Sequence, residues 1–257
     1  VGAAFTGPGD VVSGAIAWWG LRAYSDATKT TNLVRIRRVS DNAEQDFASL
    51  STGALDRASI VTFLAASTGR VVTLYDQIGT KHVTQPTAGQ QPVVNLSGIG
   101  SFVTADFTAA STHALTSGVA VSRVQPYTFG TVAKHTNIGS QAELFAESAN
   151  LVFMGYRVSA DNQVNIFNGG SFTATASDAA FHALTPVFTG AASNIYVDGT
   201  SNAVSAGVAP LGDLITLGGR GIIPFSGLLA EFGIWPSAFS GAQASSMSSN
   251  MHSYYGF

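Results

Sequence analysis

The stretch Phe181–Thr200 reads FHALTPVFTGAASNIYVDGT, two short apolar runs broken by a Thr-Gly turn and closed by Asp-Gly. Runs of this length, rich in β-branched and aromatic residues and bounded by turn formers, predict short strands. The same pattern continues in both directions. Before it stand YTFGTVAK, AELFAES, NLVFMGYRV and QVNIFNGG, and after it LITLGG and GLLAEFGIW. From Pro126 onward no helical periodicity separates these runs until the tail, so the expected fold class is all-β: a two-sheet antiparallel jelly-roll sandwich of concanavalin type with one or two short helices.

Toward the N-terminus, NLVRIRRVSD alternates as a half-exposed strand, and RVVTLYDQIG is a strand running into a turn. Between them Asp56 is placed to cap a short helix carrying Ile60, Phe63 and Leu64, with Gly69 as its stop. The tail after Ser240 reads as a weak capped helix with Met247, Met251 and Tyr254 on one side. The adjacent Trp18 and Trp19 point to opposite faces of a strand. Two packing anchors are the plainer account, and one exposed aromatic platform is the sharper one.

Composition bounds the function. The 257 residues are 46% hydrophobic and 11% charged, enough apolar surface for a large core and too ordered a composition for a disordered chain. With no shift in composition, no repeat and no charged linker, residues 1–257 are expected to form a single domain. A net charge of −3 supplies no basic field, so no nucleic acid is expected as a partner. The three arginines of Arg35–Arg38 are followed by Asp41, Glu44 and Asp46, which favours internal pairing over a basic stripe. No apolar run reaches the length of a membrane span, and VGAAFTGPGD has neither a basic nor a long apolar segment, so no membrane partner is expected.

There is no cysteine, which excludes disulfides and thiolate sites. His82, His113, His135, His182 and His252 stand singly, without HxH or HExxH spacing, and satisfied or exposed imidazoles are the expectation. Asp76, Asp161 and Asp213 lack the spacing of a calcium loop. No metal and no cofactor is expected. Neither a G-x-S-x-G elbow nor a phosphate loop is present. What remains is glycosidase chemistry, which needs two carboxylates about 5 to 9.5 Å apart. Glu143 and Glu147 share strand parity with Phe145 but sit roughly 13 Å apart on an extended chain. Glu231, in AEFGIW, reads most simply as a solvent-facing strand residue.

Residues Gly20–Gln85 carry, in order, Tyr24-Ser25, a paired-arginine strand followed by Ser40-Asp41, a short helix, and YDQIGTKHVTQ at Tyr75–Gln85. This order resembles the N-terminal half of the catalytic domain of the arabinofuranosidase B family. FHALTPVFTGAASNIYVDGTSNA and FSGLLAEFGIWPSAFSGAQ resemble the closing strands of the wider concanavalin-like, laminin-G-like superfamily. The resemblance implies the sandwich fold, but the family's catalytic residues do not carry over. Its nucleophilic glutamate, within Val-Asp-x-Glu-Asn, aligns with Phe167 of VNIFN, with Asn165 and Asn168 on the flanking positions. Its acid/base aspartate, directly after Gly-Gly, aligns with Arg220 of LITLGGR, and an arginine delivers no proton at neutral pH.

The resemblance therefore implies a non-catalytic sandwich that keeps a sugar-contacting cleft, with Asn165, Asn168, Arg220, Asp76 and Gln77 as the expected ligand-binding residues. The alternative is an active α-L-arabinofuranosidase whose carboxylates are relocated among Glu147, Asp178, Asp213 and Glu231. The opening PGDVVSGAIAWWGLRAYS resembles phage-borne proteins, which implies a virion or extracellular location, a cell-surface or plant-type glycan or capsid and tail proteins as partners, and, given the low surface charge, a homo-oligomer.

Overall fold

The computed structural model describes residues 5–137, 141–147, 152–157, 163–169, 171–176, 179–205, 207–220 and 223–257, with Arg157, Gln163, 171–176 and Arg220 described in their backbone alone. Asp161 and Asp178 lie outside the described residues.

Strand formation follows the alternating segments. The N-terminal part gives β1 (Ala17–Gly20), β2 (Asn32–Arg38), β3 (Glu44–Ala48), β4 (Gly69–Leu74) and the two-residue β5 (Val83–Thr84). Next come β6 (Val93–Ile99), β7 (Phe102–Phe107), β8 (Leu115–Ser117) and the long β9 (Tyr127–His135). A meander follows: β10 (Ala142–Glu147), β11 (Val152–Arg157), β12 (Gln163–Asn168) and β13 (Ser171–Ala176). The chain then forms β14 (His182–Phe188), β15 (Asn194–Val197), β16 (Thr200–Ala203), β17 (Ile215–Leu217), β18 (Gly219–Arg220), β19 (Ile223–Pro224) and β20 (Gly227–Trp235).

All pairings are antiparallel and resolve into two layers. One runs β3-β2-β4-β5-β8-β17-β10-β11-β12-β13. The other runs β6-β7-β20-β9-β14-β15-β16, with β1 beside the second half of β20. A single pair, Arg70 with Val93, joins the layers at one edge. Between them lies an aromatic core in which Phe145 of β10 stacks on Phe232 of β20, centroids 5.0 Å apart, and meets Phe129 of β9 at 4.6 Å. Each ring withdrawn from water in this way contributes on the order of 2 kcal/mol.

The expectation of one or two helices is exceeded by α1 (Pro8–Val11), a single turn, alongside α2 (Arg57–Leu64) and α3 (Gly241–Tyr255). Asp56 caps α2 as expected, its carboxylate accepting from the Ser59 amide at 3.0 Å, but Ala65, at φ +50°, ends the helix, and Gly69 instead opens β4. Ser240 caps α3 through the Gln243 amide. Met247, Met251 and Tyr255, spaced by four, bury one face of α3 on the outside of the second layer, so Tyr255 rather than Tyr254 completes that stripe. Trp18 and Trp235 lie under the helix, whereas Trp19 points into the inter-sheet core. Both adjacent tryptophans are fully buried, so neither is an exposed platform: α3 covers the face that a bare two-layer sandwich would leave open.

Candidate functional site

The glycine pair of LITLGGR sets the local geometry. Gly218 and Gly219 have φ of +97° and +81°, a conformation L side chains rarely adopt. They turn the chain out of β17 into the tight β18–β19 hairpin while keeping it against β10: the Gly218 amide donates to Leu144 O at 2.9 Å. A Cβ on Gly219 would fall 2.4 Å from Ile223 O and 2.6 Å from Glu143 O. Beside this hairpin opens a cleft of about 360 Å³ lined by Gln85, Gln90, Thr112, Thr116, Thr216 and Gly219, with Pro224 as a wall. The side chains at its floor are held in place by one another and by backbone. Thr116 and Thr216 hydroxyls meet at 3.2 Å across the β8–β17 pair. Gln85 Nε2 donates to Ala114 O at 3.0 Å, and Gln90 Nε2 to the Thr112 hydroxyl at 3.3 Å. His113, next in the chain, is buried, and burial together with the Arg70 guanidinium holds its imidazole below the ordinary range. The described side chains of the cleft thus present amides and hydroxyls, the groups that pair with a neutral polyol in either hydrogen-bond sense.

The residues expected to bind ligand are scattered. Asp76 accepts from the amides of Trp18, Ile78 and Lys81 at 3.1 to 3.2 Å. Gln77 receives the Tyr24 amide and donates to Gly20 O and Arg22 O. With Tyr75 donating to Asp46 and His82 Nδ1 accepting the Asp76 amide, the Tyr75–Gln85 motif pins the loop after β4 to the strand β1 and the segment behind it. Asn168 is fully buried, donating to the Tyr127 hydroxyl and accepting from Gln125 Nε2 at 2.9 Å. Asn165 is buried too, on β12 opposite Gly155. Only Arg220 adjoins the cleft, through the backbone of β18.

The register also separates the two positions aligned with the family's catalytic pair. β17, which leads into Arg220, is three strand steps from β12, which carries Phe167. Arg220 itself lies beyond the Gly218-Gly219 turn on β18, which packs against β10, two strand steps from β12. The carboxylate-bearing residue next to Gly219 is Glu143 on the adjacent strand.

Of the relocated carboxylates, Glu147 and Asp213 are brought to the same end of the β10–β17 pair, whereas Glu231 lies in the other layer. Glu231, expected on a solvent-facing flank, is fully buried beneath α3. Its two oxygens take Arg22 Nε at 2.6 Å and Nη2 at 2.8 Å, and the Tyr255 hydroxyl donates at 2.9 Å. Burial opposes the Arg22 charge, but Glu231 outweighs it and raises the guanidinium pKa. Glu147 is also fully buried and accepts the Gly212 amide at 2.9 Å. Burial, and then the Glu147 charge, pushes the Tyr127 phenol up. The expected parity of Glu143 and Glu147 is interrupted by a bulge against β11 between Glu143 and Phe145. Asp213 accepts its neighbour's amide, that of Leu214, at 2.8 Å.

Sequence spacing did not reveal the meeting of His182 and His252 on Asp198, at 2.6 and 3.0 Å. Burial pushes the Asp198 carboxyl up, yet the His182 and Ala183 hydrogen bonds prevail and hold it below its usual range. Among the described residues no group of three His, Asp or Glu side chains is set to hold a metal ion, and no helix is long and apolar enough to cross a membrane.

No protein-family profile and no curated protein sequence matches the chain. Solved structures do. A GH54 α-L-arabinofuranosidase variant soaked with 4-nitrophenyl α-L-arabinofuranoside superimposes with a TM-score of 0.75 at 15% identity, over 96% of this chain and 65% of that one. The chain is folded like a GH54 arabinofuranosidase. An arabinofuranosidase complexed with arabinofuranosyl-α-1,2-xylobiose gives 0.74 at 16% identity, over 96% of this chain and 64% of that one. The binding domain of a Paraclostridial mosquitocidal protein gives 0.51 at 12% identity, over 70% and 49%. The present chain therefore spans about two thirds of the length of the arabinofuranosidases it resembles, and at these identities the likeness is one of fold, an all-β sandwich.

Proposed function

We propose that this sandwich binds a neutral glycan in the cleft beside the β18–β19 hairpin and does not hydrolyse it. The observation that carries the reading is the contrast between that cleft, lined by Gln85, Gln90, Thr112, Thr116 and Thr216, and the commitments of Glu231 to Arg22 and of Glu147 to the Gly212 amide. A carboxylate locked in a buried bidentate ion pair is a poor nucleophile and a poor acid. The arabinofuranosidase-like fold favours a pentose-containing, plant-type or cell-surface glycan as the ligand.

The setting we propose is the surface of a phage particle or the extracellular space, with capsid or tail proteins as neighbours. It is supported by the resemblance of Pro8–Ser25 to phage-borne sequences and by the low surface charge. Self-association belongs to the same proposal: Val124 and Val208 stand 73% and 79% exposed on one rim.

The test is calorimetric titration with a panel of arabinose- and xylose-containing oligosaccharides, alongside a turnover assay. Saturable binding that Thr216→Val weakens about tenfold or less, with no turnover, is the expected result, the range being that of a lost hydrogen bond. Turnover, or binding indifferent to Thr216 and Gln85 substitutions, would overturn it.

A further inference from the structure

A second cavity, of about 230 Å³, is lined by Ala109, His135, Asn137, Gln141, Ala142 and Ser226, with Pro224 of the β18–β19 hairpin as a wall common to both cavities. We propose that it is a second saccharide subsite, so that the ligand is an oligosaccharide crossing Pro224 rather than a single sugar. This rests on the glycan-binding reading above.

His135 carries the inference. It ends β9, is 3% exposed, and lies flat on Tyr156, centroids 4.6 Å apart and planes 12° apart, with Phe225 nearly parallel at 5.9 Å. The ring is thereby fixed in orientation. Its Nε2 is buried and has no hydrogen-bond partner among the described residues. A desolvated polar nitrogen left unpaired is costly and calls for a partner. Burial lowers the imidazole pKa to about 4, so at neutral pH the ring is uncharged. The other polar side chains among the described lining residues are the Asn137 and Gln141 amides and the Ser226 hydroxyl, which accepts the Ala109 amide at 2.9 Å. An uncharged lining of this kind selects a hydroxyl over an anion or a cation, and a hydroxyl serves either imidazole tautomer because it both donates and accepts. At 230 Å³ the cavity is below the usual range for an independent small-molecule site, about 300 to 1,000 Å³, whereas the neighbouring cleft falls within it. An extension of a ligand already held in the first cleft fits those sizes.

The experiment is a nitrogen-15 NMR titration of the full chain with L-arabinose and, separately, with arabinofuranosyl-α-1,2-xylobiose, paired with calorimetry on the wild type, His135→Phe and Gln141→Ala. L-Arabinose should move the Thr116 and Thr216 amides and leave the His135 ring nitrogens in place. The trisaccharide should move both and bind more tightly. His135→Phe keeps the ring stack and should weaken the trisaccharide about 2- to 10-fold, the worth of one hydrogen bond, without weakening L-arabinose. Gln141 is exposed, so its replacement spares the core and should shift trisaccharide affinity in the same direction. If the trisaccharide moves the first cleft alone, or both variants bind it as the wild type does, the second subsite is refuted while the first stands. If neither sugar moves a signal at either cavity, the glycan-binding reading fails and the subsite with it.

Discussion

Arg22 and Glu231 are 209 residues apart in the chain and meet as a fully buried, bidentate pair closed by the Tyr255 hydroxyl. Removing one member of such a pair strands the other charge in a low-dielectric interior. Glu231→Gln should therefore lower unfolding free energy by about 3 to 5 kcal/mol, read from urea denaturation. An unchanged midpoint would mean that Glu231 is not structural. His135 makes an opposite kind of demand. Its pKa is lowered from 6.5 to about 4 in the folded chain, so between those values the unfolded chain binds the extra proton. Stability from this group is complete above about pH 6.5 and is lost as pH falls toward 4, by at most about 3 kcal/mol. His113, also held low, adds to the same slope. His135→Phe should flatten the difference in urea midpoint between pH 4.5 and pH 7.5, and an unaltered slope would assign it elsewhere. Neither role was legible in the sequence. A lone glutamate in a strand and a lone histidine say nothing of the partner that folding brings across the core.

The β18–β19 hairpin and the loop after β4 show where pattern did carry information. Two successive glycines follow LITL, and both take positive φ. Gly219→Ala brings a Cβ to within 2.4 Å of Ile223 O and 2.6 Å of Glu143 O, so the hairpin must shift and the cleft with it. Saccharide binding should be lost while the melting temperature falls by about 2 to 12 °C, as expected for about 1 to 3 kcal/mol of local backbone strain. Intact binding would move the site away from the hairpin. The Tyr75–Gln85 motif was legible as a motif but not in its role. Asp76 spends its carboxylate on three amides, and Asp76→Ala should cost about 3 kcal/mol or more without directly touching the cleft. The strands from β9 to β20 stood out because turn formers punctuate them, with β13 as an exception: SFTATA has Phe172 as its one large apolar residue. β6 (VVNLSGI) and β7 (FVTADF) mix apolar with small and polar residues; they pair with each other, and β7 pairs with β20.

Layering explains what could not be read from one strand at a time. Both faces of the β9–β20 layer are covered, one by β10 and its neighbours and the other by α3, so alternation there reports two kinds of interior rather than inside and outside. That is why both tryptophans of AWWG and the glutamate of AEFG are buried. The central claim is that the fold of an arabinofuranosidase here holds a glycan without cleaving it. The most direct measurement is an NMR titration of the labelled chain with 4-nitrophenyl α-L-arabinofuranoside, following protein amides and free 4-nitrophenol in the same tube. The account predicts saturable shifts at Gln85, Thr116 and Thr216 with no 4-nitrophenol beyond the protein-free blank. Protein-dependent release of 4-nitrophenol, or shifts confined to other parts of the sandwich, would contradict it.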